Sequence, residues 1–231
     1  LDLIANNNWK RPIYFSGGAY DDEDFLWMKN YLQLDGMTYK LVPIKTEIPK
    51  DASPLEMGGI DTDKMYANVM KWDWGNSESL SIYHDPETRK NSITYRSYLS
   101  RLMNQLILEG KKEKAKNIIT LAMNKMPLEQ FGYYSLLEPF AKGYYDLGEN
   151  AKAQDLLSKL ILKYKENLKY YSSLTPSDQT SLAIDIITDI ERYRSLLLVM
   201  KESGDVTFYN KNKAQFNTYV SIFERFGREK E

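Results

Sequence analysis

The side chains with the clearest chemical character in this sequence are Trp72 and Trp74, in the run Lys71-Trp72-Asp73-Trp74-Gly75. In a non-helical stretch alternate residues project to the same side, so the two indoles can present one apolar face. Such a face stacks a sugar ring or rests on a membrane surface. The competing reading is that the pair fills the junction between two parts of the chain. Two acidic groups invite comparison with metal and catalytic sites. Asp21-Asp22-Glu23-Asp24 lacks the glycine and the closing glutamate of a calcium loop, and acids at a helix start explain it better. Asp61 and Asp63 can be set against a glycosidase carboxylate pair, yet a helix N-cap followed by a first-turn acid accounts for both more simply. The single histidine, His84, sits in Tyr83-His84-Asp85-Pro86. Any histidine metal cluster or Ser-His-Asp triad would rest on it alone, so it reads as a boundary residue before a helix. The chain has no cysteine, which excludes disulfides, thiolate metal sites and cysteine nucleophiles. No catalytic residue, metal site or cofactor is expected, and the chain is read as non-enzymatic.

These residues are carried by 231 residues that are 42% apolar and 27% charged, an ordinary balance for a folded protein. A formal net charge of −1 supplies no field to attract nucleic acid, which is not expected as a partner. No apolar run approaches the roughly 20 residues that span a bilayer. The longest, Leu196-Leu197-Leu198-Val199-Met200, suits a helix core. The opening Leu1-Asp2-Leu3-Ile4-Ala5, apolar and without methionine, suggests a piece of something longer.

Composition divides the chain near residue 85. All four tryptophans precede residue 75, and five of the eight prolines precede residue 87. Residues 1–85 read as a small α/β segment: a strand at 11–16, a helix from about 22 to 34, a strand at 37–44, a loop over 45–60 and a helix from Asp61 to about Trp72. Two strands are fewer than a stable sheet needs. Either upstream strands complete it or the pair leans on the helical half.

Residues 86–231 read as long amphipathic helices, making the fold mainly α. Asp85 caps a helix that Pro86 opens and Gly110 closes. Leu99, Leu102, Met103 and Leu106 line its inner face. A second helix with Ala115, Ile118, Ile119, Ala122 and Met126 stops before Pro127. One fixed offset then carries Gly110 onto Gly148, Ala115 onto Ala153, Leu99 onto Leu137, Leu102 onto Phe140, Leu106 onto Tyr144 and Ile119 onto Leu157. This is tetratricopeptide-like grammar, with repeats at about 96–129 and 134–167. Ala115, Ala122, Ala141 and Ala153 are the small residues that let paired helices approach. Departures exist: Met103 stands at a small-residue position, and Pro139 predicts a late start or a kink in the second repeat. An atypical helical pair at 176–227, opened by Thr175-Pro176 and broken at Gly204, is expected to cover the end of the stack. Tyr170 and Tyr171 are expected to pack.

Ile4-Ala5-Asn6-Asn7-Asn8-Trp9-Lys10-Arg11-Pro12-Ile13-Tyr14-Phe15 carries a family resemblance, as do Tyr31-Leu32-Gln33-Leu34-Asp35-Gly36, Leu41-Val42-Pro43-Ile44 and Asp61-Thr62-Asp63-Lys64-Met65-Tyr66. With the helical segments behind them, these runs resemble the C-terminal soluble region of large bacterial membrane proteins. The multi-spanning N-terminal part of that family is similar to protein O-mannosyltransferases. The resemblance implies an extracytoplasmic tail on the periplasmic side of the inner membrane, with the transferase chemistry in the membrane part. It brings no site residues with it.

Helical arrays of this kind bind partners along the groove lined by their first helices. The groove positions are Ser97, Ser100, Asn104 and Ile107, then Glu138, Lys142 and Tyr145, a polar surface of mixed charge. The leading expectation is a non-catalytic interaction domain that contacts its own membrane part or another protein. A carbohydrate-binding module centred on exposed Trp72 and Trp74, with a glycan as ligand, is one alternative. A free-standing peptide-binding scaffold is another.

Overall fold

The structure, a computed structural model, describes residues 2–16, 26–48 and 56–226. The acid cluster at 21–24 lies outside the described residues. By internal contacts the chain divides into two compact units, Leu1–Tyr133 and Tyr134–Glu231. Residue 85, where composition changes, falls within the first. Throughout, the protein is mainly helical, with helical hairpins following a small α/β segment.

The first unit opens with a short helix, α1 (Asp2–Asn7), and strand β1 (Tyr14–Ser16). A 3-10 turn at Leu26–Tyr31 leads into β2 (Leu32–Asp35), which turns through Gly36 and Met37 into β3 (Thr38–Leu41). The expected helix to residue 34 therefore ends early, and its last residues are strand. The deciding pattern is Leu32, Leu34, Tyr39 and Leu41 alternating inward around an Asp-Gly turn. Gly36 takes a φ of +69°, which the tight turn demands. The loop expectation for 45–60 also needs correction, since Gly59–Ile60 forms β4. The sheet order is β1-β3-β2-β4, with β4 parallel to β2 and the other pairs antiparallel. Pro12 stands just before an edge strand, where its missing N–H costs no ladder bond.

This small sheet leans on helix. After α2 (Thr62–Val69) comes α3 (Pro86–Leu108), whose Tyr98 meets Tyr39 of the sheet edge to face at 5.8 Å. Arg101 of α3 donates to the Gly58 carbonyl at 2.9 Å and to the Tyr39 hydroxyl at 3.4 Å. Asp85 caps α3 by accepting from the amides of Glu87 and Thr88. Helix α4 (Lys112–Lys125) packs back along α3, and Ala115 and Ala122 are fully buried in this unit. A single turn, α5 (Leu128–Phe131), ends the unit's regular structure.

The second unit begins with a 3-10 turn at Tyr134–Leu137, then α6 (Glu138–Asp146) with Pro139 in its first turn. This is the late start that Pro139 requires. Helix α7 (Asn150–Ser172) packs along α6, with Ala141 and Ala153 fully buried. The final segment is less regular than its sequence suggests. It forms α8 (Pro176–Ser181), breaks at Leu182, and resumes as α9 (Ala183–Glu202) and α10 (Val206–Ile222). The break has a tertiary cause. Gln179 donates to the Tyr171 and Leu174 carbonyls and accepts from Arg225 at 2.5 Å, which pins α8 to the end of α7.

Three helix–helix turns share one geometry. Gly110, Gly148 and Gly204 have φ of 73°, 77° and 77°. The next residue donates back to the third-last helical carbonyl in each: Lys111 to Leu106 at 2.8 Å, Glu149 to Tyr144 at 2.8 Å and Asp205 to Met200 at 2.9 Å. This is the Schellman closure, and it satisfies carbonyls that a helix end otherwise leaves open.

Candidate functional site

The segment between α2 and α3 has no regular structure, yet it is tied down along its length. Gly75 and Asn76 both take left-handed φ, 55° and 60°, and the Gly75 amide donates to Asp73 Oδ1 at 3.0 Å. The resulting turn brings Ser77 to the Lys125 carbonyl at 2.7 Å, and Lys125 forms an ion pair with Glu78. Gln130 donates to the Ser79 carbonyl at 2.7 Å. His84 Nε2 lies 2.9 Å from the Ser77 carbonyl, and its ring stacks on Phe131 at 4.6 Å. A carbonyl only accepts, so Nε2 carries the proton and Nδ1 is left as an acceptor. The boundary histidine is thus a clasp on its own loop.

The two tryptophans have different settings. Trp72 meets Tyr95 of α3 at 5.5 Å, ring planes at 89°, and lies 3.3 Å from where a Cβ on Gly36 would stand. It packs the junction between hairpin turn and helix. Trp74 lies 5.7 Å from Trp72 and 5.4 Å from Tyr95. It also lines a cleft of about 240 Å³ with Asp73, His84, Asn91, Tyr95 and Phe131. Its indole Nε1 is buried and has no hydrogen-bond partner among the described residues. Neither ring is freely exposed. The exposed indoles are Trp9 and Trp27, at 54% and 63%, so a site built on exposed tryptophans at 72 and 74 is corrected to a half-buried one.

Arg96 of α3 is fully buried. Its guanidinium donates to the Met126 carbonyl at 2.8 Å and the Gly132 carbonyl at 2.5 Å, clamping the end of α4 and the turn after α5. Burial pulls its pKa down to about 10, so it remains charged near neutrality. By holding both ends of 126–132, it fixes Met126 and Phe131, which line the cleft. Sequence reasoning missed this residue. The available signal was a charge three residues before Leu99, on the buried stripe of α3.

The acids with carboxylate-pair spacing are engaged elsewhere. Asp61 accepts from the Lys64 amide as the N-cap of α2. Asp63 pairs with Lys111 at 2.8 Å and Lys114 at 2.6 Å, and hydrogen bonds from those two lysines hold its pKa down at about 2. Thr62, buried beside them, donates to Glu109 at 2.5 Å. Among the described residues no cluster of three or more His, Cys, Asp or Glu could hold a metal ion.

The expected groove residues are divided between the units. On the first, Asn104 is exposed and Ser97 and Ile107 are half-buried. Ser100 is buried, with its hydroxyl donating to the Ser97 carbonyl at 2.9 Å. On the second, Lys142 is exposed and pairs with Asp146 at 2.8 Å. Glu138 accepts from Ser195 at 2.6 Å. Tyr145 is buried and donates to Asp205 at 2.8 Å, an acid that also accepts from Gln154 at 2.7 Å. Ser100 and Tyr145 therefore do internal work rather than face a ligand. Tyr170 is 58% exposed, and only Tyr171 beside it packs inward.

Comparison with known proteins gives one positive finding. Residues 1–64 match the family model of TMEM260-associated domain 2, which spans α1, the sheet and the start of α2. No curated protein and no solved structure matches the chain. Among the described residues no helix is long and apolar enough to cross a membrane.

Proposed function

We propose that this chain is a non-catalytic accessory domain of a membrane glycosyltransferase-like protein, held on the periplasmic side of the inner membrane, where it mediates protein–protein contacts. The observation that carries this reading is the match of residues 1–64 to TMEM260-associated domain 2, TMEM260 being described as a protein O-mannosyltransferase. The resemblance of the runs between Ile4 and Tyr66, with the helical segments behind them, to the tails of bacterial proteins of that kind points the same way. The helical part supports an interaction role: its hairpins close through one repeated turn and have small buried residues at their crossings, as tetratricopeptide-like repeats do. The structural engagement of Asp61 and Asp63 favours a non-catalytic role over a carboxylate-pair hydrolase.

The test has two arms. Purified chain is assayed for glycosyl transfer and glycoside hydrolysis, and robust turnover without added metal overturns the non-catalytic reading. The chain is also co-expressed with the membrane part of its parent and isolated in detergent. Co-purification that Asn104→Ala with Lys142→Ala reduces, at unchanged thermal stability, supports the contact role; co-purification insensitive to the pair removes those residues from it.

A further inference from the structure

The cleft at Trp74 has features that packing alone does not require. Its lining includes aromatic rings, Trp74 and Tyr95 at 5.4 Å and tilted by 52°, and Phe131 stacked with His84. It also includes polar groups, neutral or anionic: Asn91, His84 and Asp73. Several of these groups retain unused hydrogen-bonding capacity. Asp73 engages Oδ1 on the Gly75 amide and has Oδ2 to offer. His84 has Nδ1 as an acceptor once Nε2–H is engaged by the Ser77 carbonyl. The Asn91 amide and the Tyr95 hydroxyl make no hydrogen bond among the described residues, and the Trp74 Nε1 donor is buried without one.

Size and charge narrow the occupant. At about 240 Å³ the cleft lies below the roughly 300–1,000 Å³ of drug-sized sites, leaving room for one small ring. Among the described residues no lysine or arginine lines it, and Asp73 does. A phosphate would meet a carboxylate without a compensating cation, which excludes nucleotides and sugar phosphates. A quaternary ammonium suits aromatic rings and an acid, but it cannot use the Asn91 amide, the His84 acceptor or the Tyr95 hydroxyl. A pyranose suits all of them: its C–H face packs on aromatic rings while its hydroxyls donate and accept around the edge.

We infer that this cleft binds a single neutral pyranose ring of a glycan, with Trp74 and Tyr95 as the stacking wall and Asp73, Asn91 and His84 as the hydroxyl-recognising edge. The inference rests on the cleft alone and stands whether or not the protein-contact reading does.

The test is a titration of the chain with a panel of methyl pyranosides (mannose, glucose, galactose and N-acetylglucosamine), followed through the four tryptophan indole N–H signals by NMR. Mannose 6-phosphate and choline serve as charged controls. The expected result is a saturable shift of the Trp74 indole signal with at least one neutral pyranoside, smaller or absent with both controls. Asn91→Ala, at an exposed position of α3, weakens that binding about tenfold, the scale of one lost hydrogen bond at a polar site, without lowering the melting temperature. Trp74→Phe, which keeps a ring in the packed cluster but removes the reporting indole, weakens the binding seen by neighbouring amides. Three results overturn the inference: no indole shift with any pyranoside, a shift that Asn91→Ala leaves unchanged, or saturation by choline in place of sugar.

Discussion

The two units of this protein are held together by different kinds of interaction. In Leu1–Tyr133, irregular segments are fastened to α3 and α4 by polar clips of long sequence separation: Arg96 to the carbonyls of Met126 and Gly132, Arg101 to Gly58, Ser77 to Lys125 and Gln130 to Ser79. In Tyr134–Glu231, apolar stripes dominate, with Phe140, Leu157, Leu160, Tyr164, Ile186 and Tyr193 buried along facing helices. Its long-range polar bonds run to Asp205 and Asp189, from Ser195 to Glu138 and from Arg225 to Gln179, and they join regular helices rather than irregular segments for the most part. The lesson is physical. A regular helix satisfies its own backbone, so apolar periodicity suffices to place it. An irregular segment has open carbonyls and amides, so particular donors must come from elsewhere in the fold. The candidate cleft lies in the clipped unit, where a loop is held rigidly enough to present side chains.

All four tryptophans lie in the first unit, so their fluorescence reports that unit while helical circular dichroism reports both. The largest expected effect is at the clip. Arg96→Ala leaves two carbonyls without their donor and opens a cavity at a fully buried position. It should destabilise the tryptophan-reported transition by about 3–5 kcal/mol in urea. A loss below about 1 kcal/mol would mean that water replaces the guanidinium and that the clip is dispensable. Next come the helix crossings. Ala115→Leu and Ala153→Leu each overpack a fully buried position and should cost about 1–3 kcal/mol. The first should appear in tryptophan fluorescence and the second in circular dichroism. If both move the fluorescence transition equally, the two units unfold as one cooperative body.

Smaller effects test the polar centres. Tyr145→Phe removes a hydroxyl that donates to Asp205 and should cost about 1 kcal/mol by urea denaturation. No change would show that Gln154 alone satisfies that acid. The smallest effect is at Asp63, whose pKa the Lys111 and Lys114 bonds hold at about 2 against an ordinary 3.8. A carboxylate lowered on folding adds stability that is complete above its unfolded value and is lost as pH falls through its folded one. The difference between the protein and Asp63→Asn should therefore be constant above pH 5 and shrink between about pH 4 and pH 2. A difference that persists at pH 2 would assign the effect to something other than the ion pairs.

Much of the helical layout was legible because it depends on local chemistry. Asp85 caps α3, Asp61 caps α2, Pro139 delays α6, and Gly110, Gly148 and Gly204 end three helices in the left-handed conformation that glycine adopts most readily. The β2 strand was misread because 25–32 carries an aromatic-rich run behind acids that suits a helix start. The contrary signal is Asp35-Gly36 between two alternating apolar pairs, which marks a hairpin. The break at Leu182 had no signal of its own, since neither glycine nor proline stands there. Of the cleft, sequence named Trp72 and Trp74 and weighed His84, Asp73 going unremarked between the tryptophans. Tyr95 and Asn91 on α3 and Phe131 on α5 went unnamed, because nothing in their spacing reveals which loop will fold over them.

The sequence by itself determined where α2, α3 and α6 begin, where α3, α6 and α9 end and which stripes they bury, because caps, prolines, glycines and apolar spacing act over a few residues. Tertiary structure decided the rest. It placed β1 and β4 on the sheet, set Arg96 among carbonyls 30 and more residues away, and gave Trp72 to packing while leaving Trp74 at a cleft. Those outcomes depend on which distant backbone groups lack partners, and chain proximity carries no information about that.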